Sequence, residues 1–473
     1  MKNKFFAEND TIHAEGLALP TDMYETQLNN NVLLIGTPGA GKTQGWVKPN
    51  VLQMNSSYVV TDPKGSLIGD VGQALEDSGY RVWSLNLASP GKSSVSYNPF
   101  SHIRSEEDVR ALAHSIVYSH GERESNDPFW DNSAEILLMA LAELVREEEA
   151  RGGEVASIPC MAEAMDDYFY AARGQVGAAN RLVERFEQIR TGLVWDGQKH
   201  VQREARPDSP ACRLWSQFQA ITEVETTMRC ILMEAISHLA PFRTKEVAAI
   251  ISSGDQVSFA ALGTTKCALF VVVSDTDRSL DPLVSILYTQ MFRELCRLAD
   301  SALCEDAGHR LPVPVRVILD DFANIGTVKD FDSVIAAVRS RDIWITVVCQ
   351  SVGQLASKYG KAATTIAECC DTTIYLGSNS LATMRELSER ADIPVSEVQT
   401  IPVGELYAFV RGRAPVRTAR YNVADHPAYP LTAAGSGRGP YEPGRTVARS
   451  SRGKGTVAGR GEPSLSALAA GRP

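Results

Sequence analysis

The sequence contains no apolar run long enough to cross a membrane. Its longest apolar stretches, such as residues 268–273, have the length of a buried strand, whereas a membrane-spanning helix needs about 20 such residues. Residues 1–6 include two lysines, but no hydrophobic region follows them, so a secretory signal peptide is not predicted. We therefore expect a cytoplasmic protein without a transmembrane segment.

Paired cysteines and zinc-type histidine spacings are also missing. None of the nine cysteines belongs to a C-x-x-C pair, and several, such as Cys267 and Cys349, lie within apolar runs. Such cysteines are typical of reduced core thiols in a cytosolic protein. The eight histidines show no metal-ligand spacing. The sequence therefore predicts neither a disulfide framework nor a metal-binding domain.

Positive charge is scarce in most of the chain. The net charge is −10, but the residues from Ala433 onward carry a net +5, which leaves −15 on the rest. An acidic average does not suggest a nucleic-acid partner. The last part is rich in Gly, Ser, Pro and Arg, which predicts a disordered tail over residues 431–473. This tail is either a non-specific phosphate-binding element or a solvated linker.

The remaining residues predict an α/β fold. The chain has 473 residues, 44% of them apolar and 22% charged, which is enough for two or three globular domains. Short apolar runs alternate with helical patterns, as in a parallel sheet. The predicted strands are 32–35, 58–61, 81–87, 267–274, 314–320, 343–349 and 372–376. The predicted helices between them are 42–54, 67–78, 282–298, 328–339, 353–359 and 380–391.

An all-helical region interrupts this pattern. Between residues 106 and 238, apolar side chains recur at helical spacing, and no strand is predicted. We therefore expect one α/β domain made of residues 1–104 and 241–430, with an all-α insertion domain over residues 105–240. The predicted helical segments of the insertion are 109–118, 133–145, 161–170, 176–190 and 215–239.

The strongest motif is a phosphate-binding loop that follows the predicted strand 32–35. It reads Gly36-Thr37-Pro38-Gly39-Ala40-Gly41-Lys42-Thr43 and fits G-x-x-x-x-G-K-[ST]. Its glycines let backbone N–H groups face phosphates at a helix N-terminus. Lys42 would then reach the β and γ phosphates of ATP, and the Thr43 hydroxyl would bind Mg²⁺. A flexible glycine-rich turn is the alternative, which the flanking strand and helix disfavour.

Two acidic residues end the predicted strand 314–320. Asp320 is suited to the Mg²⁺ shell, and Asp321 to orienting or deprotonating the attacking water. The alternative is a pair of residues that caps the next helix. Because the same chain carries a phosphate-binding loop, we favour the catalytic interpretation.

Two further candidates flank the predicted strand 343–349. Gln350 follows it, where an amide can sense the γ-phosphate and position water, or alternatively cap a helix. Arg339 precedes it and is predicted to neutralise transition-state charge in a neighbouring subunit's site. Arg341 is the less favoured choice for this role, and solvated surface arginines are the alternative for both.

Together these segments resemble the type IV secretion coupling proteins, the TraG-like conjugative transfer ATPases. The resemblance extends from about residue 10 to residue 423. Besides the phosphate-binding loop, it rests on Lys48-Pro49-Asn50, Thr61-Asp62-Pro63-Lys64-Gly65, Tyr97-Asn98-Pro99-Phe100, Leu319-Asp320-Asp321-Phe322-Ala323-Asn324, Arg339-Ser340, Gln350-Ser351, Gln354-Leu355 and Tyr359-Gly360. The phosphate-binding loop alone occurs in many protein families. Specific to this family is the combination of Asp62-Pro63-Lys64-Gly65, which we call the Asp62 motif, with Gln350-Ser351 and Gln354-Leu355.

The resemblance implies a RecA-like P-loop NTPase that forms a ring, which we expect to be a homo-hexamer, with ATP sites between subunits. It also implies a cargo of single-stranded DNA attached to a relaxase. The helical domain would contact the relaxosome, and the motor would deliver this cargo to the channel proteins of a type IV secretion system during conjugation.

The chain departs from the family pattern in two respects. Asp321 stands where the family usually has Glu, which predicts weaker water activation, slow turnover or reliance on Gln350. Family members also usually begin with transmembrane helices, and this chain begins where those would end. We therefore expect a protein at the inner face of the cell membrane, anchored by a separate polypeptide or a membrane partner, unless the gene is shortened.

Two other functions compete with the coupling protein. One is a soluble FtsK- or HerA-like translocase of duplex DNA, favoured by the missing membrane segment and disfavoured by the Asp62 motif. The other is a non-hydrolysing docking receptor, which binds ATP to assemble and then recruits secreted cargo. The acidic body of the chain and Asp321 are compatible with this receptor.

Overall fold

Strands form the centre of the structure. The computed structural model describes residues 7–119, 128–172, 180–195, 198–222, 224–252 and 255–444. The strands are β1 (Asp10–Ala14), β2 (Leu17–Pro20), β3 (Val32–Ile35), β4 (Ser57–Asp62), β5 (Arg81–Asn86), β6 (Leu193–Trp195), β7 (His200–Gln202), β8 (Cys267–Val272), β9 (Val315–Leu319), β10 (Ile343–Cys349), β11 (Thr372–Tyr375), β12 (Glu405–Val410) and β13 (Val416–Ala419).

Nine of these strands build one mixed sheet in the order β13-β12-β11-β3-β10-β9-β4-β8-β5. Every pair from β5 to β11 is parallel, whereas β12 and β13 add antiparallel to the edge at β11. This architecture confirms the predicted α/β class. The sheet is not purely parallel, however, because β12 and β13 pair antiparallel at its edge. Neither of these two strands nor the hairpin β1–β2 was predicted from the sequence.

The central strands β3, β4, β9 and β10 are buried along their whole length, because helices cover both faces of the sheet. In β3, Leu33 and Ile35 pack into a core shared with the helical region. Val32 and Leu34 face the opposite side, where they join a second core with Trp46. Strands buried on both faces produce continuous apolar runs, which explains why the sequence predicted them correctly.

Helices connect and cover these strands. They are α1 (Met23–Thr26), α2 (Lys48–Leu52), α3 (Ser66–Asp77), α4 (Glu106–Val117), α5 (Phe129–Ala150), α6 (Ile158–Ala172), α7 (Arg181–Thr191), α8 (Pro210–Ile221), α9 (Glu225–Leu239), α10 (Lys245–Ser252), α11 (Phe259–Thr264), α12 (Asp281–Ala299), α13 (Phe331–Ala337), α14 (Val352–Tyr359), α15 (Ala362–Glu368), α16 (Leu381–Ala391), α17 (Val395–Gln399) and α18 (Ala433–Ser436). Within the described ranges, none is both long and apolar enough to cross a bilayer.

The region between β5 and β8 is mostly helical, with two differences from the prediction. The short antiparallel pair β6–β7 lies within it, although no strand was expected there. The predicted segment 215–239 is divided into α8 and α9, because α8 ends at a C-cap on Thr222. Part of the predicted segment 176–190 lies outside the described residues. The division into domains at residues 104 and 240 stays a prediction.

The chain after residue 430 is ordered as far as residue 444, so the predicted start of the disordered tail at 431 is wrong. The chain up to Pro443 belongs to one compact unit. Tyr441 lies against α3, where its backbone N–H donates to the carbonyl of Gly69 at 2.7 Å. The average composition of a segment cannot reveal a contact that one tyrosine makes. Residues 445–473 lie outside the described residues.

Candidate functional site

The phosphate-binding loop lies at the edge of the sheet that is formed by the C-terminal ends of the parallel strands. The N–H of Gly36 donates to the carbonyl of Cys349 at 3.1 Å, and the N–H of Thr37 donates to that of Gly377 at 3.1 Å. These bonds tie the loop to the ends of the two strands beside β3. Gly39 and Gly41 have φ values of 80° and 90°, a region of backbone space that favours glycine. The motif therefore has the glycines that its curled backbone requires.

Lys42 and Thr43 lie where this loop enters a helix. The Lys42 ammonium donates to the carbonyl oxygens of Gly36 at 2.7 Å and Thr37 at 3.3 Å, so it curls back over the loop. Thr43 begins a π-helical turn, Thr43–Val47, that continues as α2. The predicted helix 42–54 is therefore present, with a wider first turn than expected.

The acidic motif meets the loop at this edge. Strand β9 is separated from β3 by β10, yet the Thr43 hydroxyl lies 3.3 Å from Asp320 Oδ2 and donates to it. The backbone N–H of Asp321 donates to the other oxygen, Oδ1, at 3.0 Å. Burial, reinforced by the carboxylate of Asp321, raises the pKa of Asp320 to about 6, and the Lys42 ammonium opposes this rise. A hydroxyl and a carboxylate side by side are oxygen ligands of the kind that Mg²⁺ accepts.

The next acid, Asp321, does not serve as a helix cap. It has a φ of 51° and precedes a short 3₁₀ turn, Phe322–Asn324, without capping it through its side chain. Its half-buried carboxylate lies beside that of Asp320. The geometry therefore disfavours the capping alternative for Asp321.

Gln350 follows β10, between the phosphate-binding loop and the acidic motif. Its N–H donates to the side chain of Gln354 at 3.1 Å, and its carbonyl accepts from the Ser378 hydroxyl at 3.2 Å. The helix that follows, α14, is capped by Ser351 instead. The backbone of Gln350 is thus fixed beside the loop, and its side chain is not needed as a cap.

Arg339 lies at the opposite edge of the sheet, where the parallel strands begin. The seven residues of β10 separate it from the loop, a length of roughly 20 Å at about 3.3 Å per residue. Arg339 is exposed and has no ion pair within the described part of the chain. Arg341, by contrast, is held by both carboxylate oxygens of Asp300 at 2.9 Å. Arg339 therefore cannot reach its own loop and is free to meet another molecule.

Arg420 contacts the phosphate-binding loop and was not among the residues predicted for this site. Its Nη1 donates to the carbonyl of Ala40 at 3.3 Å, and a Cβ atom added to Gly41 would lie 1.8 Å from the same nitrogen. Arg420 follows the antiparallel edge strand β13. No local motif marks it, because the edge strands that carry it across the sheet were not predicted.

The Asp62 motif has a structural role. Asp62 Oδ2 accepts from the N–H groups of Leu67 and Ile68, both at 2.9 Å, at the start of α3. Lys64 and Gly65 form the turn between them, with φ values of 151° and 69°. The motif thus sets the turn from β4 into α3.

Comparisons with known proteins agree with this geometry. Residues 2–391 match the family model described as type IV secretory system conjugative DNA transfer. Two conjugal transfer proteins TraG from Escherichia coli are each 25% identical to the chain. The alignment with the first covers 76% of this chain and 54% of TraG. The chain therefore spans about half the length of the curated relatives it matches.

Solved structures of the conjugative coupling protein TrwB share the fold. The form in complex with sulphate has a TM-score of 0.63 at 15% identity and covers 89% of this chain and 92% of that one. The complex with the ATP analogue ADPNP has a TM-score of 0.62 at 14% identity, with coverages of 89% and 90%. The complex with ADP and Mg²⁺ has a TM-score of 0.60 at 15% identity, with coverages of 89% and 91%. Because the family model spans most of the sequence, the chain belongs to the type IV secretory system conjugative DNA transfer family.

Proposed function

We propose that this protein is an ATP-driven coupling protein that moves single-stranded DNA with its attached relaxase into a type IV secretion channel. The observation that carries this proposal is the meeting of Lys42, Thr43 and Asp320 at one edge of the sheet. Family membership supports the conjugative role. The TrwB complexes with ADPNP and with ADP and Mg²⁺ support a nucleotide site in this fold.

Each residue of the site has a chemical role in this proposal. The backbone N–H groups of residues 36–43 bind the phosphates, and Lys42 neutralises charge on the β and γ phosphates. Thr43 and Asp320 hold Mg²⁺, which draws charge from the phosphate oxygens when it is bound. Asp321 orients the attacking water, with the Gln350 amide as its partner.

The position of Arg339 supports a ring. An exposed arginine at the far edge of the sheet is of no use to its own phosphates, but it can enter the site of a neighbouring copy. There it would neutralise charge that develops in the transition state. A closed ring of identical subunits gives every subunit one such neighbour, and the family resemblance favours a hexamer.

The test is steady-state ATP hydrolysis by the purified full chain, with single-stranded or duplex DNA. We expect single-stranded DNA to stimulate hydrolysis more, and Lys42→Ala to lower the rate about 100-fold or more, because charge on the phosphates loses its partner. If the wild-type protein hydrolyses ATP no faster than Lys42→Ala, the docking receptor is the correct function. Stronger stimulation by duplex DNA would instead indicate an FtsK- or HerA-like translocase.

A further inference from the structure

Three potential metal ligands, none of them part of the phosphate-binding site, converge in the helical region. Asp131 lies in the first turn of α5, and Glu234 and His238 lie one turn apart on α9. One ligand atom from each residue lies within 4.8 Å of the other two. The spacing of four residues puts Glu234 and His238 on the same face of their helix, and the fold adds Asp131 from a distant part of the sequence. No local histidine spacing could reveal this set.

The three side chains line one cavity of about 240 Å³. All three are half-buried, so a bound ion would be partly shielded from water. The walls also include Ser119, two residues after α4, and Pro282 at the start of α12. The cavity is therefore a concave site where three helices meet α9, rather than a set of acids on an open surface.

The charges around this cavity favour a bound cation. Neither Asp131 nor Glu234 forms an ion pair with a lysine or arginine in the described ranges, and two carboxylates that face each other repel. The His238 ring nitrogen Nε2 lies 3.4 Å from Glu234 Oε1. A protonated imidazole would offset part of this repulsion, whereas a metal ion shared by all three residues would offset it for both carboxylates.

We propose that Asp131, Glu234 and His238 bind one divalent transition-metal ion of the Zn²⁺ type. One imidazole and two carboxylates are ligands that Zn²⁺ accepts, with bonds of about 2.0–2.2 Å. Tetrahedral geometry requires ligand atoms roughly 3.3 Å apart, which small side-chain rotations achieve from the observed spacing. Three protein ligands leave a fourth position for water. The imidazole nitrogen selects against Mg²⁺ and Ca²⁺, which prefer all-oxygen sites.

Such an ion would join α5 to α9, and one wall of its cavity contacts the segment that follows the acidic motif. The carbonyl of Ser119, in the wall of the cavity, accepts from the N–H of Thr327 at 2.8 Å. Thr327 follows the acidic motif Asp320–Asn324 by three residues. A bound ion would therefore lie beside the contact between the helical region and the segment that follows the acidic motif.

The test is equilibrium Zn²⁺ binding by the chelator-treated full chain, with a chromogenic chelator as competitor. We expect the wild-type protein to bind one more equivalent of Zn²⁺ tightly than His238→Ala does. In His238→Ala, the affinity of the site for Zn²⁺ should fall about 100-fold or more. Glu234→Gln should show the same loss and serves as the second variant if His238→Ala does not fold. Absorption of Co²⁺ bound at this site would report tetrahedral geometry in the wild-type protein but not in His238→Ala or Glu234→Gln.

Two controls separate this site from other ligands. His200→Ala removes an exposed histidine of β7 and should keep the extra equivalent. Asp320→Asn should keep it too, because the phosphate-binding site is a different one. The nine free cysteines are the same in all variants, so any Zn²⁺ that they bind cancels when the variants are compared. Equal binding by the wild-type protein, His238→Ala and Glu234→Gln would overturn the proposal without bearing on ATP hydrolysis.

Discussion

The burial of Asp320 makes the stability of the protein depend on pH. Its carboxyl group is buried at the end of β9, next to the carboxylate of Asp321, and its pKa rises from the ordinary 3.8 to about 6. Because the folded state holds this proton more tightly than the unfolded state, the free energy of unfolding falls as pH rises from about 4 to 6. Above pH 6 the carboxylate is charged and the full cost is present.

Replacing Asp320 with asparagine should therefore stabilise the protein without nucleotide. At pH 8 we expect Asp320→Asn to raise the free energy of unfolding by about 1–3 kcal/mol, because the buried charge is removed. At pH 4 the gain should nearly vanish. Urea unfolding at both pH values measures this. Asp306→Asn, at an exposed position, should change neither midpoint, and a loss of stability in Asp320→Asn at pH 8 would contradict the electrostatic account.

Arg420 illustrates which site residues a sequence motif cannot reveal. The residues of the phosphate-binding loop and the acidic motif could be found because their neighbours in sequence are also their neighbours in the site. Arg420 reaches the loop through the antiparallel strands β12 and β13. Its position depends on long-range pairing, for which the sequence has no local signal.

At the scale of elements, burial explains which predictions were correct. Strand β10 has the predicted bounds, because all seven of its residues are buried between two layers of helices. Strand β13 was missed, since its residues are mostly exposed and form no apolar pattern. The break between α8 and α9 was missed because residues 221–225 contain neither glycine nor proline.

The segment that follows β13 packs closely against α3. Tyr441 lies so near Gly72 that a Cβ atom added there would come within 2.2 Å of its ring. At Gly69, one turn earlier, an added Cβ would meet only Pro440 at 3.4 Å, an ordinary contact. The packing of Tyr441 on α3 therefore requires glycine at position 72 but not at position 69.

This pair of glycines gives a matched test. Gly72→Ala should force Tyr441 off α3 and make the chain near residue 441 sensitive to protease. Gly69→Ala should leave Tyr441 packed on α3 and raise the free energy of unfolding by up to about 1 kcal/mol, because alanine has a higher helix propensity than glycine. Limited proteolysis followed by mass spectrometry measures the difference. Equal protection in both variants would show that Tyr441 does not hold this segment.

At the scale of the whole molecule, the proposed ring requires two subunits for each active site. Lys42 and Arg339 lie at opposite edges of one sheet, so a complete site needs the loop of one copy and the arginine of the next. Lys42→Ala and Arg339→Ala should each be nearly inactive alone. A mixture of equal parts should regain activity, since roughly a quarter of its interfaces pair an intact loop with an intact arginine.

A control mixture distinguishes this rescue from a general effect of mixing. Lys42→Ala combined with Asp320→Asn should stay inactive, because both residues belong to the same subunit's half of the site. ATP hydrolysis after co-refolding or subunit exchange measures both mixtures. Equal rates in the two mixtures would argue against Arg339 as the residue donated by a neighbour.

The central claim is that the loop ending in Thr43 and the acid Asp320 hold one magnesium nucleotide. Calorimetric binding of a non-hydrolysable ATP analogue, with and without Mg²⁺, tests it most directly. We predict that Mg²⁺ tightens binding to the wild-type protein and to Asp306→Asn, but has little effect on Asp320→Asn, which still binds the metal-free nucleotide. An equal Mg²⁺ effect in all three proteins, or no nucleotide binding by the wild-type protein, would contradict the account.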